Sequence, residues 1–290
     1  MTRGSRHISR TALAAWTAAA ICVLCSAAWA QRVAVIVPEP NETAEAFAER
    51  LAGDLGRYLT VSDRGAAEAA FRAMGIETPF NQTRDQARNA GTAIGADMII
   101  LVRAEIQPRR SFQKGEYQEA WASLFTVGSR SGKLLDFQHL SADDPIRERA
   151  EAALLDEAVR WAGLTAETLK AFHRRETERK DKAAIEDHSR ATEETPGLRL
   201  PMPYSRIRPE YTPLAALFSV RATVDAEVDI DAEGQIERLE IVRWAGYGLD
   251  TAVTDAIRRM NWHPAERGGK TLPIRVLLRY NFTKIEKDDN

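Results

Sequence analysis

Apolar residues follow two different periods along the chain, and the switches between them mark out the elements. Residues 33–37 read VAVIV, a continuous β-branched run bounded by Pro38 and Pro40. A run without polar alternation predicts a strand buried on both faces, and hence a parallel or mixed sheet. Helical spacing follows, with Ala44, Phe47, Leu51, Leu55 and Leu59 on one stripe. A short strand at Val61, a second helix around residues 67–74, a third helix ending at Gly95 and a strand over residues 98–106 continue a βαβα alternation. Gly95 suits a left-handed helix cap. Residues 117–127 and 134–140 then read as two strands joined by Ser129-Arg130-Ser131-Gly132, and a long helix runs from about Pro145 to about Phe172.

The next segment changes character. Residues 173–195 carry six basic and seven acidic side chains and almost no large apolar ones. Such a stretch buries too little surface to form a core, so residues 173–203 are expected to be a charged linker or exposed helix, with a reach of about 100 Å extended or about 45 Å helical. Two tethered domains, rather than one fused body, are predicted. The second begins near Tyr204. Val224, Ala226, Val228 and Ile230 alternate with polar residues, Asp231 to Gly234 supplies a turn, and Leu239 and Ile241 lie on a second strand. Leu249, Val253, Ala256, Ile257 and Met260 have helical spacing, and a last strand carries Ile274, Val276, Leu278 and Tyr280 on one side. The order is ββαβ. The whole is expected to be α+β: a mixed α/β domain over residues 31–172, the linker 173–203 and a small domain over 204–290.

The first thirty residues set the compartment. Arg3, Arg6 and Arg10 precede an uncharged run ending in Ala28-Trp29-Ala30, the pattern of a cleavable export signal. An uncleaved inner-membrane anchor is the alternative, because the run is long enough for a bilayer core. Nine of the twenty residues 11–30 are Ala, however, which favours cleavage and a periplasmic location. Both cysteines, Cys22 and Cys25, lie inside this segment, so a chain starting at Gln31 has no disulfide or thiolate chemistry. Over the 290 residues, 40 Lys and Arg nearly cancel 42 Asp and Glu, which removes the global field a nucleic-acid binder uses.

Five pieces of the C-terminal region stand in a recognisable order: Asp231-Ala-Glu-Gly234, Arg243-Trp-Ala-Gly246, Leu249-Asp250, Ile257-Arg-Arg-Met-Asn-Trp262-His-Pro264 and Gly269-Lys-Thr-Leu-Pro273. Together, over about residues 208–282, they resemble the TonB carboxy-terminal domain. The family usually opens with a Tyr-Pro pair and a Gly, where this chain has Glu210-Tyr211-Thr212-Pro213 and Ala222-Thr223. The resemblance implies a sheet of about three antiparallel strands crossed by one helix, with an open edge on the last strand. There the family captures an extended segment, the TonB box of an outer-membrane receptor, by strand addition. Mapped by motif, the docking residues would be Leu272, Pro273, Ile274, Arg275, Val276, Leu277, Leu278, Arg279 and Tyr280. Residues 33–140 resemble the TolB amino-terminal and CsgG-like envelope domains, through the initial VAV strand, Val61-Ser-Asp63-Arg64, and Gly95-Ala-Asp97 leading into an apolar strand. That likeness implies a fold and no catalytic residues.

Other chemistry is sparse. Asp229, Asp231, Glu233, Gly234 and Glu240 have the spacing of a calcium loop, but the flanks alternate as strands and the same residues form the hairpin turn of the resemblance. The five histidines have no metal-ligand spacing, Gly128 to Gly132 has Arg130 where a nucleophile elbow needs Ser, and no phosphate-cradling Gly motif occurs. No cofactor and no enzymatic activity are expected. The sequence therefore points to a periplasmic protein that captures an envelope segment, such as a TonB-dependent receptor's, in support of transport. The alternative is an envelope adaptor that dimerises or assembles without transducing energy. A motor complex enters only if the N-terminus stays as an anchor. Protein isolated from its native cell is expected to begin at Gln31 by N-terminal sequencing; Met1 or Thr2 would restore the anchor.

Overall fold

The structure, a computed structural model, describes residues 31–178, 185–189 and 196–283, so the signal expected at 1–30 and parts of the charged segment lie outside the described residues. The VAVIV run forms β1 (Arg32–Ile36), followed by α1 (Glu42–Leu55), β2 (Thr60–Val61), α2 (Arg64–Ala73) and α3 (Arg84–Ile94). Long strands β3 (Met98–Ser111), β4 (Gly115–Gly128) and β5 (Leu134–Asp144) come next, then α4 (Arg147–Glu178). The five strands make one mixed sheet in the order β2-β1-β3-β4-β5, in which β1 runs parallel to β2 and β3 while β3, β4 and β5 are antiparallel. Local signals set the helix ends. Asn41 accepts from the Ala44 N–H at 2.9 Å to start α1, Thr83 and Gln86 form a capping box on α3, and Gly95 closes α3 at φ 71°.

Because strand side chains alternate, this sheet has two apolar faces. Val33, Val35, Met98, Ile100, Val102 and Leu124 pack under α1 and α4. Ala34, Ile36, Ile99, Leu101, Phe125 and Val127 point the other way, toward α2 and α3. Those two helices are short, and their fully buried apolar side chains are Ala67, Phe71, Ala87 and Ala90. That is too little surface to cover Trp121, Phe125 and Phe137 as well.

The C-terminal region supplies the missing cover. Its four-stranded sheet has the order β10-β9-β14-β6, built from β6 (Glu186–Asp187), β9 (Ala222–Ile230), β10 (Ile236–Arg243) and β14 (Ile274–Phe282). Preceding β9 is a short helix α5 (Pro213–Leu217), and after β10 comes α6 (Leu249–Arg258). Minor ladders join β7 (Leu198–Arg199) to β12 (Ala265–Arg267) and β13 (Lys270–Leu272), and β8 (Met202–Pro203) to β11 (Trp262–His263). Helix α6 buries Leu249, Val253, Ala256 and Ile257 against Val224, Ala226, Val228 and Ile230 of β9. At the β9–β10 turn, Asp231 Oδ1 accepts from the Glu233 and Gln235 N–H groups, and Gly234 at φ 82° passes so close that a Cβ would lie 2.2 Å from the Trp262 carbonyl.

Two expectations are corrected. The domains are fused through one core rather than tethered, since the same buried cluster runs from Ile36 and Phe125 to Trp244, Tyr247 and Ile257. Phe125 meets Phe137 at 4.9 Å and Trp244 and Tyr247 at 5.8 Å each, while Phe218 covers Trp121 at 4.6 Å and His139 at 4.7 Å. Hydrogen bonds fix the seam as well. The Asn81 amide donates to the carbonyls of Thr223 (2.9 Å) and Trp244 (2.6 Å) and accepts from the Thr223 N–H at 3.0 Å. Buried Glu240 of β10 draws Arg84 (3.2 Å) and Lys133 from the first unit and Arg238 from its own strand. The segment 173–203 is also not a plain linker: its first residues extend α4, and others form β6, β7 and β8 against the C-terminal strands.

One tight loop aims the aromatic residues. Gly246, Tyr247 and Gly248 all have positive φ, and a Cβ on Gly246 would sit 2.7 Å from both Phe125 and Phe137. Asp250 holds the loop by accepting from the N–H groups of Ala245 (2.9 Å) and Gly246 (2.7 Å), and Thr212 donates to the Tyr247 carbonyl at 2.6 Å. Burial pushes the Asp250 carboxyl up to about 6, against those two donors, which favour its charged form.

Two outcomes follow from this arrangement. Phe125→Ala is expected to cost about 3–5 kcal/mol, and the wild-type protein to unfold in one transition by near-UV and far-UV circular dichroism alike; two separable transitions would contradict a shared core. The folded state binds the Asp250 proton more readily than the unfolded chain does, so this group's contribution weakens stability as pH rises from about 4 to about 6. Relative to Asp250→Asn, wild type should therefore gain about 2 kcal/mol between pH 7 and pH 4 in urea titrations, whereas parallel pH profiles would refute the assignment.

Candidate functional site

Strand β14 is the feature on which the sequence reading converges. One of its edges is fully occupied: β9 pairs with it antiparallel at nine positions, from Ile274 opposite Ile230 to Phe282 opposite Ala222. Ile274, Val276, Leu278 and Tyr280 turn their side chains into the core beneath α6, with Ile274 at 0% and Val276 at 8% exposure. These four are packing residues, whatever the backbone does.

The other edge is mostly open. The Arg275 carbonyl accepts from the His188 N–H at 2.9 Å, which shows that Arg275 turns its backbone groups away from β9. In an antiparallel pair the direction alternates, so Leu277, Arg279 and Asn281 present their N–H and C=O groups on the same outer side. Among the described residues, nothing hydrogen-bonds those backbone groups. Strand β6 covers the beginning of this edge, running parallel to β14 with Glu186 opposite Ile274 and Asp187 opposite Arg275.

This places the nine expected docking residues unequally. Leu272 belongs to the hairpin strand β13, opposite Ala265, and Pro273, which has no N–H, separates it from β14. Neither lies on the open edge. Ile274 and Arg275 lie under β6, residues 276–280 lie beyond it, and the strand continues through Asn281 and Phe282, two positions past the sequence expectation.

On the sheet face away from α6, charge fixes the register of β14. Arg275 grips Asp229 with two contacts of 2.6 and 2.8 Å, and Arg279 grips Asp225 with two of 2.7 and 3.0 Å. Each pair is directly opposed across the ladder. Arg243 reaches Asp225 from the far strand at 3.1 Å. Hydrogen bonding to these carboxylates raises the pKa of Arg275 and Arg279 further, and Glu186 is held below the usual carboxylate range by His188 and then Arg267.

The calcium alternative does not assemble. Asp229 is committed to Arg275, Asp231 caps the turn, Glu233 is exposed, and Glu240 is surrounded by Arg84, Lys133 and Arg238. Cations around a carboxylate oppose a divalent ion. Among the described residues, no group of three or more His, Cys, Asp or Glu converges as a metal site. The lead-in that departs from the expected Tyr-Pro opening is anchored in its own way, because Pro213 opens α5, Thr212 caps it, and the Tyr211 hydroxyl lies 2.8 Å from the Val220 carbonyl. Sequence reasoning missed Asn81 and β6. Asn81 read only as the marker of a loop with Gly75 and Pro79, and β6 was hidden in a run of charges; its one local signal was Ile185 beside Glu186-Asp187.

Comparison with known proteins bears on the same region. The family model described as "Gram-negative bacterial TonB protein C-terminal" matches residues 207–283. Among curated proteins no match to the chain is found. Solved structures similar to parts of the chain include the Pseudomonas aeruginosa TonB C-terminal domain, 18% identical, covering 36% of this chain and 98% of its own with a TM-score of 0.27. Lipoprotein GNA1162 from Neisseria meningitidis is 15% identical, covering 50% of this chain and 99% of its own with a TM-score of 0.32. A PelC dodecamer from Paraburkholderia phytofirmans is 10% identical, covering 48% and 88% with a TM-score of 0.31. These comparisons do not confirm the likeness of the first domain to the TolB and CsgG-like domains. Residues 207–283 are thus similar to the C-terminal region of Gram-negative bacterial TonB proteins.

Proposed function

We propose that this chain is a non-enzymatic periplasmic protein that captures an extended segment of an envelope partner by strand addition to the open edge of β14. The observation that carries the reading is the row of outward backbone groups at Leu277, Arg279 and Asn281, beside a strand whose inner edge and core side chains are already satisfied. Such a row is a template for a partner strand, and the partner's alternate side chains then supply specificity. A TonB-dependent outer-membrane receptor is the partner that the matched family favours, in support of TonB-dependent transport.

A second reading rests on a different observation. The C-terminal domain is fastened to the first unit through Phe125, Asn81 and Glu240, and the segment between them contributes strands instead of a free spacer. That rigidity favours an envelope adaptor with no direct energy transduction.

One experiment separates these readings. A photo-cross-linking amino acid at Leu277 or Asn281, in cells of the native organism, should trap a specific envelope protein identifiable by mass spectrometry, and the same group at exposed Arg258 on α6 should not. A receptor adduct supports transport, and a homodimer adduct alone supports the adaptor. Equal labelling from Arg258, or no adduct at either edge position, would refute strand capture.

A further inference from the structure

Strand β6 is out of place for a charged connecting segment. It lies against the edge that a partner would use, and it is held by side chains chosen for charge. Glu186 receives Arg267 at 2.6 Å, Asp187 lies 3.8 Å from Arg275, and the His188 N–H donates to the Arg275 carbonyl. The cations that the C-terminal domain offers to β6 are thus two arginines, Arg267 of β12 and Arg275 of β14. Arg275 already satisfies Asp229 of β9, so its second carboxylate contact comes from β6, on the opposite side of β14.

Both acidic contacts are partly exposed, and ion pairs of that kind hold weakly. The backbone pairing is equally short, with two rungs and none beyond Arg275. As part of the same chain, β6 competes for this edge at an effective concentration on the order of millimolar. A partner continuing along Leu277, Arg279 and Asn281 would form more backbone hydrogen bonds than β6 forms, and would displace it.

We propose that residues 186–188 are a built-in stand-in for the partner strand. On this view, which rests on the strand-capture reading above, the captured segment is an extended peptide that runs parallel to β14. It carries acidic side chains at the rungs opposite Ile274 and Arg275, where Arg267 and Arg275 receive them. The stand-in occupies the start of the edge, at Ile274 and Arg275, until such a partner arrives.

The test uses the whole protein and a labelled peptide of its own residues 183–190, read by fluorescence anisotropy. In the Glu186→Lys, Asp187→Lys double variant the internal competitor loses both contacts, so the peptide should bind at least roughly tenfold more tightly than to wild type. A peptide with Lys at both acidic positions should bind neither protein. Near-identical circular dichroism and urea midpoints for the two proteins will show that the variant is folded, as expected for substitutions at partly exposed positions. Equal affinity for wild type and variant, binding to neither, or equal binding of the Lys-substituted peptide each overturns the proposal. So does a variant that becomes a dimer in size-exclusion chromatography without peptide, because the edge would then serve a second copy of the chain. Cross-linking at Leu277 reports strand capture independently, so a trapped partner alongside a failed peptide experiment would remove the stand-in and leave the capture reading standing.

Discussion

The arrangement depends on the aromatic seam between β4 and the loop at Gly246. Phe125 lies at its centre, within 6 Å of Phe137, Phe80, Trp244 and Tyr247. Burying side chains of this size stabilises by several kcal/mol each, a large fraction of the net 5–15 kcal/mol that holds a typical domain folded. The first sheet is left with an apolar face that α2 and α3 do not close, and the second domain closes it. Neither unit has a finished core without the other, which makes the pair a single cooperative body.

That coupling has a consequence for the edge of β14. A strand template works only if its backbone is held still, because any ordering required on binding subtracts from affinity. Here β14 is fixed from three directions: by β9 through the full ladder, by α6 through Val276 and Ile274, and by the opposed pairs Arg275–Asp229 and Arg279–Asp225. A one-residue slip would turn the apolar set to the charged face and break both bidentate pairs, so the register is strongly specified. The rigid inner edge and the lightly occupied outer edge are therefore complementary: one holds the frame while the other stays available.

Much of this was legible along the chain. The period-two alternation of Val224 to Ile230, the turn at Asp231 to Gly234 and the helical spacing from Leu249 to Met260 each located an element, because local side-chain direction is fixed by the backbone type. Gly95 announced the end of α3 in the same way. The long strands were underrated at β3 and β4, whose far ends carry Arg109, Arg110 and Glu116 and lack the apolar marks of a buried strand. One clue to the fused core was visible but unread: residues 121–127 are apolar on both sides of the strand, which requires cover on both.

Local chemistry alone determined the elements, their order, the C-terminal motif and the side-chain alternation of β14, since each of these is settled by neighbours a few residues away. Tertiary structure decided the rest: that Asn81 would clasp backbone 142 and 163 positions later, that Glu240 would face cations from another unit, and that a two-residue strand from a charged run would lie along β14. The physical reason is that these contacts depend on which surfaces remain uncovered once the helices have packed. That remainder is a property of shapes in three dimensions and leaves no period in the sequence.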